Sequence, residues 1–185
     1  MIQDVIDDKV TRAKAILRTA QENPAWWCEK ALGVTPTDFE RFCLDSWKAA
    51  KSLSFRQTIP LGERQRAAAL MLMAFLHLWQ DALVITLAPN ERLLGAGLWP
   101  EVESLYRGQR INLGSIMGPY EVRCGPTWFA RGFGGDDPAL LQGFVPSGEH
   151  VLVLVENTAN VDARSLELMR ALTAISPHGY FLEVS

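Results

Sequence analysis

The 185-residue sequence predicts an α/β fold, a mainly parallel sheet covered by helices. Two uninterrupted apolar runs, Ala82 to Leu87 and His150 to Val155, carry most of that expectation. An unbroken run, unlike an alternating one, suits a parallel strand buried on both faces. Helix-period segments separate these runs, and strands alternating with helices build parallel sheets. The composition, 48% hydrophobic and 21% charged, supports one good core and is neither disordered nor fibrous.

Taken in order, the chain divides into a helical segment over residues 1–51 and an α/β core over 52–185, read together as one domain. Val5, Ile6, Val10, Ala13, Ile16, Leu17 and Ala20 recur near every 3.6 residues, which predicts an amphipathic helix from Asp4 to Gln21. Asn23-Pro24 turns the chain into a short helix through Trp26, Trp27 and Leu32, closed by Gly33. Thr37 with Glu40 three residues on forms a capping box for a third helix over Phe39, Phe42, Leu44 and Trp47. Leu53 to Thr58 reads as a short strand, Pro60-Leu61-Gly62 as a turn, and Glu63 to Trp79 as a helix rich in Ala, Leu and Met. Asn90 caps a further helix toward Tyr106, weakened by Gly95 and Gly97 and bent or broken at Pro100. Glycines and prolines break Gln109 to Gly135 into pieces that suggest a hairpin or edge strands. A helix from Asp162 to Ala174 and a strand from Tyr180 to Val184 complete the pattern.

Charge and cysteine usage exclude several function classes. A net charge of -3 does not support a broad phosphate-binding surface, because non-specific DNA affinity comes from Lys and Arg neutralising phosphates. Cys28, Cys43 and Cys124 are odd in number and widely spaced, so they predict buried reduced thiols rather than disulfides or a zinc site. His77, on an apolar helix, and His150, opening a strand, read as packing residues rather than metal ligands, and the same holds for His178. No charged-then-apolar leader opens the sequence. The longest largely apolar stretch, Ala67 to Trp79, falls short of the roughly twenty residues that span a bilayer. The expectation is a cytoplasmic protein without membrane contact.

Several segments agree in order and spacing with one family. Asn23-Pro24-Ala25-Trp26-Trp27-Cys28-Glu29-Lys30-Ala31-Leu32-Gly33-Val34 is similar to the opening of the ATPase domain of phage large terminases, which pump viral DNA into capsids. Ala82-Leu83-Val84-Ile85-Thr86-Leu87-Ala88-Pro89 resembles that family's strand ending in T-x-A-P. Gly132-Phe133-Gly134-Gly135-Asp136-Asp137-Pro138, followed by Leu141-Gln142-Gly143-Phe144, resembles the text preceding its Walker B strand. The resemblance spans about Asn23 to Ala174 and implies a P-loop core of the ASCE or RecA-like kind.

The same alignment shows what is missing. A phosphate loop reads G-x-x-x-x-G-K-[ST], the lysine neutralising phosphate charge and the hydroxyl holding Mg²⁺. Here Arg56-Gln57-Thr58-Ile59-Pro60-Leu61-Gly62-Glu63-Arg64-Gln65-Arg66 keeps only Gly62. The lysine position holds Glu63 or Arg64, and the hydroxyl position Arg64 or Gln65. Where Walker B has Asp then Glu, the chain has Glu156 then Asn157, and an amide is no general base. The glutamine that contacts adenine in such motors is replaced near Phe39, and no Arg or Lys lies between Arg131 and Arg164, where some terminases carry an arginine acting across subunits.

These departures leave paired readings. Glu156 is either a leftover metal ligand or a strand-end carboxylate, exposed or capping the next helix, the second being preferred. Asp136 and Asp137 are either relics of a functional loop or, with Pro138, a helix cap, again the second. Lys51, Arg56, Arg64 and Arg66 either line an anion pocket at a helix N-terminus or form a solvated helix start, which Glu63 favours. Trp26, Trp27 and Trp47 read as core rather than as an interface. The expected function is a phage or prophage packaging protein that has lost ATP hydrolysis, has no catalytic residue and no cofactor, and binds another packaging component or itself. The alternative is an unorthodox ATPase using Arg64 and Glu156 with ATP and Mg²⁺. DNA contact is not supported by net charge, and with the sequence ending just after Tyr180 to Val184, no nuclease domain is expected.

Overall fold

A computed structural model describes residues 2–47, 49–55, 58–142 and 148–184, with side chains from residue 6 onward. Arg56 and Gln57 of the degenerate loop, and Gly143 and Phe144 of the motif block, lie outside the described residues. The described residues form an α/β fold around one seven-stranded sheet of order β1-β7-β6-β2-β5-β4-β3. The strands are β1 (Ser52–Phe55), β2 (Leu83–Ala88), β3 (Ser115–Gly118), β4 (Glu121–Arg123), β5 (Phe129–Gly134), β6 (His150–Glu156) and β7 (His178–Val184). The first five in spatial order run parallel, and β4 and β3 extend the sheet antiparallel.

Both faces are covered, as the apolar runs require. Val84, Leu152, Leu154 and Leu182 point into a core shared with α4 (Leu61–Leu78) and α6 (Leu98–Gly108). Ile85, Leu87, Val153 and Val155 point the other way, against Met169 and Leu172 of α7 (Ala163–Ile175). Every residue of α4 from Ala67 to Leu78 is buried, so this helix is the central support of one face. The N-terminal elements are α1 (Ile2–Glu22), α2 (Pro24–Trp27), which runs on as a wider turn through Cys28–Leu32, and α3 (Asp38–Ser46). Gly33 closes the second in the left-handed conformation, and Thr37 with Glu40 forms both bonds of the capping box.

Several expectations shift. Leu61 and Gly62, read as a turn, are the first residues of α4, with Pro60 as its N-cap. The helix after Asn90 breaks at Gly97, not at Pro100, dividing it into α5 (Glu91–Ala96) and α6. Pro100 sits in the first turn of α6, where its missing N–H removes no intrahelical bond. The hairpin expected after Gln109 is present as β3 and β4, but β5 is an interior strand between β2 and β4. Gly132 explains the close packing there: a Cβ would lie 2.6 Å from Trp99 Nε1, which donates a buried hydrogen bond to Thr86 Oγ1. On α1 the apolar stripe is largely uncovered, Ile6, Val10 and Ile16 being 47%, 46% and 50% exposed.

Trp47 and Trp99 are buried, and Trp26 and Trp27 pack half-buried on the core, so the reading as core holds. Cys28 and Cys43 are buried free thiols pushed up to about 12 by burial. Among the described residues no helix is long and apolar enough to cross a membrane.

His77, inside α4, donates from Nε2 to Gln109 Oε1, and burial holds its imidazole down at about 4 from its ordinary 6.5. A depressed folded-state value means that its stabilisation is present above pH 6.5 and is lost as pH falls toward 4. At about 1.4 kcal/mol per pKa unit, the loss expected between pH 7 and pH 4 is on the order of 3 kcal/mol. His150, also held at about 4, titrates in the same window. Urea midpoints at pH 7, 5.5 and 4.5 for wild type and His77→Gln isolate the His77 share as the difference in slope. Parallel pH profiles would contradict the assignment.

Candidate functional site

The carboxyl ends of β2, β6 and β7 open on a crevice of about 300 Å³. Ligands in open α/β sheets bind outside these ends, where flanking helices diverge. Pro89 follows β2, Glu156 ends β6 and Asn157 follows it, Val184 ends β7, and the start of α4 supplies Leu61, Arg64 and Gln65. Leu93, Ala96 and Gly97 close the far wall at the α5–α6 break. The topology therefore joins two regions that the sequence resemblance singles out, 92 positions apart from Arg64 to Glu156, at one opening.

Glu156 is neither exposed nor poised over solvent. It is 6% exposed, and its side chain shares the parity of Leu152 and Leu154, which turns it toward α4 and α6. Gln65 Nε2 donates to Glu156 Oε1 at 3.0 Å, and Leu98 N donates to Oε2 at 3.2 Å. The helix it caps is α6 rather than the next one in sequence. Burial raises the pKa of this carboxyl above its ordinary 4.5, and the bonds from Gln65 and Leu98 act against that shift. Gly97 permits the arrangement: a Cβ there would stand 2.8 Å from Oε2.

Asn157 adopts φ 50°, a left-handed conformation that asparagine tolerates better than most residues. Its N–H donates to Val184 O and its Oδ1 accepts from Asn160 Nδ2 at 2.8 Å, so it turns the chain out of β6. Arg64 departs most from the expected solvated helix start. Only 7% exposed, it lines the crevice with Nε and Nη1 buried and without hydrogen-bond partners. Its neighbours scatter: Glu63 is exposed and outside the crevice lining, Arg66 pairs with Glu40 at 2.8 Å, and Lys51 donates to Pro177 O. Phe39 packs edge-on against Phe55 at 5.3 Å.

The other motif block forms structure away from the crevice. Asp137 Oδ1 accepts from Ala139 N and caps the single turn Pro138–Leu141, as a cap reading requires. Asp136 lines a separate cavity with Glu91 and Arg131, and Gln142 is exposed.

No protein family and no curated protein matches this chain. What the crevice can do is therefore argued from its own atoms. A magnesium ion does not fit the end of β6: both Glu156 oxygens accept bonds from the protein, burial favours the protonated carboxyl, and the neighbouring side chain is the Gln65 amide, which donates to it. An anion suits the crevice better: Arg64, one of its lining residues, has buried Nε and Nη1 donors without partners, and it stands in the first turn of α4, whose leading N–H groups have no intrahelical acceptors.

Proposed function

We propose that this chain is a domain of the large-terminase ATPase kind, with a P-loop NTPase-type core, that has lost hydrolysis and works by binding. The observation that carries the proposal is the direct Gln65–Glu156 hydrogen bond of 3.0 Å. In a phosphate-loop motor the loop hydroxyl and the acidic strand end hold a metal ion between them; here, with the hydroxyl position falling on Arg64 or Gln65, the Gln65 amide and the Glu156 carboxyl close on each other. The reading includes a protein partner, a packaging component or a second copy, in the cytoplasm of a bacterial host that carries the phage or prophage. The uncovered stripe Ile6, Val10 and Ile16 on α1 favours a partner.

A second reading, a weak or unorthodox ATPase, is favoured by Arg64, a crevice-lining cation with two donors that have no partner. Magnesium dependence separates the two. Calorimetric titration with ATP and a non-hydrolysable analogue is expected to show no magnesium-dependent heat, with no phosphate release above background. Saturable heat that needs magnesium, together with turnover that disappears in Glu156→Ala, would establish the ATPase instead.

A further inference from the structure

At the opposite end of the sheet from the crevice, β6 and β7 begin side by side. His150 and His178 are register partners, the first residues of adjacent parallel strands. Their imidazoles stack with centroids 4.7 Å apart and planes 13° from parallel. Glu149 precedes His150, and one ligand atom from each of Glu149, His150 and His178 lies within 4.8 Å of the others. His150 Nδ1 is buried and has no hydrogen-bond partner, a cost that a bound group would remove.

We propose that Glu149, His150 and His178 bind a divalent transition-metal ion of the zinc class at this edge of the sheet. Two imidazole nitrogens and one carboxylate oxygen are a donor set that zinc accepts with a fourth position open. Ligand atoms about 2.1 Å from one ion are roughly 3.5 Å apart, so closure needs a shift of about 1 Å. Glu149 and His178 are exposed and can supply it by side-chain rotation, the His178 ring turning out of the stack so that its in-plane lone pair converges with that of His150. The backbone needs no change, because Glu149 O accepts from His178 N at 3.0 Å and from Ser176 Oγ at 2.7 Å, pinning the two strand starts together. Trp79, 5.4 Å from the His150 ring, backs that ligand. A cavity of about 420 Å³ lies beside Glu149 and His150 and gives the fourth position access to water or a small ligand. The site is therefore an exchangeable one, unlike a closed four-ligand structural centre.

The test uses untagged, chelator-stripped protein titrated with Co²⁺ by visible absorption and with Zn²⁺ by calorimetry. One equivalent is expected to bind, with ligand-field bands and a rise in melting temperature. His178→Ala and Glu149→Ala, both at exposed positions, are expected to weaken binding by about tenfold or more, the loss seen even for outer-shell partners. Cys124→Ser is expected to change nothing. Absence of saturable one-to-one binding overturns the proposal, as does binding that His178→Ala leaves intact or that Cys124→Ser removes.

Discussion

Arg64→Met is expected to make the protein more stable while abolishing its response to polyanions. Three physical terms oppose Arg64 where it stands. Its guanidinium is buried with Nε and Nη1 unpaired, and a buried charge without partners is costly. It lies in the first turn of α4, whose positive end disfavours cations. Among the described residues it has no ion pair, whereas Arg66 nearby has Glu40. Methionine keeps the apolar stem against the core and discards the charge. Replacing buried ionic groups by apolar ones of similar volume stabilises by about 1–4 kcal/mol, so a gain of about 2 kcal/mol is expected from urea unfolding at pH 7. An anion supplies the missing acceptor and counter-charge and is itself favoured at the positive end of α4. Inorganic triphosphate, with magnesium absent, should therefore raise the melting temperature of wild type and leave Arg64→Met unmoved. A variant less stable than wild type by about 1 kcal/mol or more would mean that Arg64 is a structural residue and that the crevice is not an anion site.

How far this arrangement was legible follows from what periodicity and spacing encode. Local signals were reliable where one segment contains its own cause: the Thr37–Glu40 box, the Gly33 cap, the Asp137–Pro138 turn and the unbroken runs of β2 and β6. The sequence points to Pro100 rather than Gly97 for the helix break, because proline is the stronger breaker in an interior but is harmless in a first turn. Only the tertiary approach of Glu156 shows why glycine is needed there. The crevice was half legible. The sequence marks positions 62–65 and 156–157 as unlike a phosphate loop and reads Arg64 as solvated and Glu156 as exposed or capping the next helix; both are buried, and the helix that Glu156 caps is α6. Pairing across the sheet was not legible at all. Nothing in the text sets His150 opposite His178, because the strand order that does so depends on α7 carrying the chain back beside β6.

Glu156 provides the sharpest separation of a structural role from a catalytic one. Its carboxyl is the acceptor for Leu98 N and for Gln65 Nε2, both at the crevice wall. Glu156→Ala removes both acceptors and leaves a void, so a loss of about 2–4 kcal/mol is expected. Glu156→Gln keeps an oxygen for Leu98 N, and Gln65 can turn its amide to pair with the new one, so its stability should lie within about 1 kcal/mol of wild type. The pH dependence has a definite sign. Because burial raises the folded-state pKa, the carboxyl stabilises most below its ordinary 4.5 and loses that contribution as pH rises through the raised value. The glutamine variant lacks this term, so its stability relative to wild type should improve from pH 4 to pH 8. Gly97→Ala supplies the third side of the comparison. Its Cβ would stand 2.8 Å from Oε2 and displace the carboxyl from its donors, at a cost of about 1–3 kcal/mol. In the Glu156→Ala background the obstructed atoms are gone, so most of that cost should vanish as a coupling energy of about 1–2 kcal/mol. Additive losses in the double variant would show that Gly97 serves the α5–α6 junction by some other contact, and a catalytic Glu156 would instead appear as turnover lost in the stable glutamine variant.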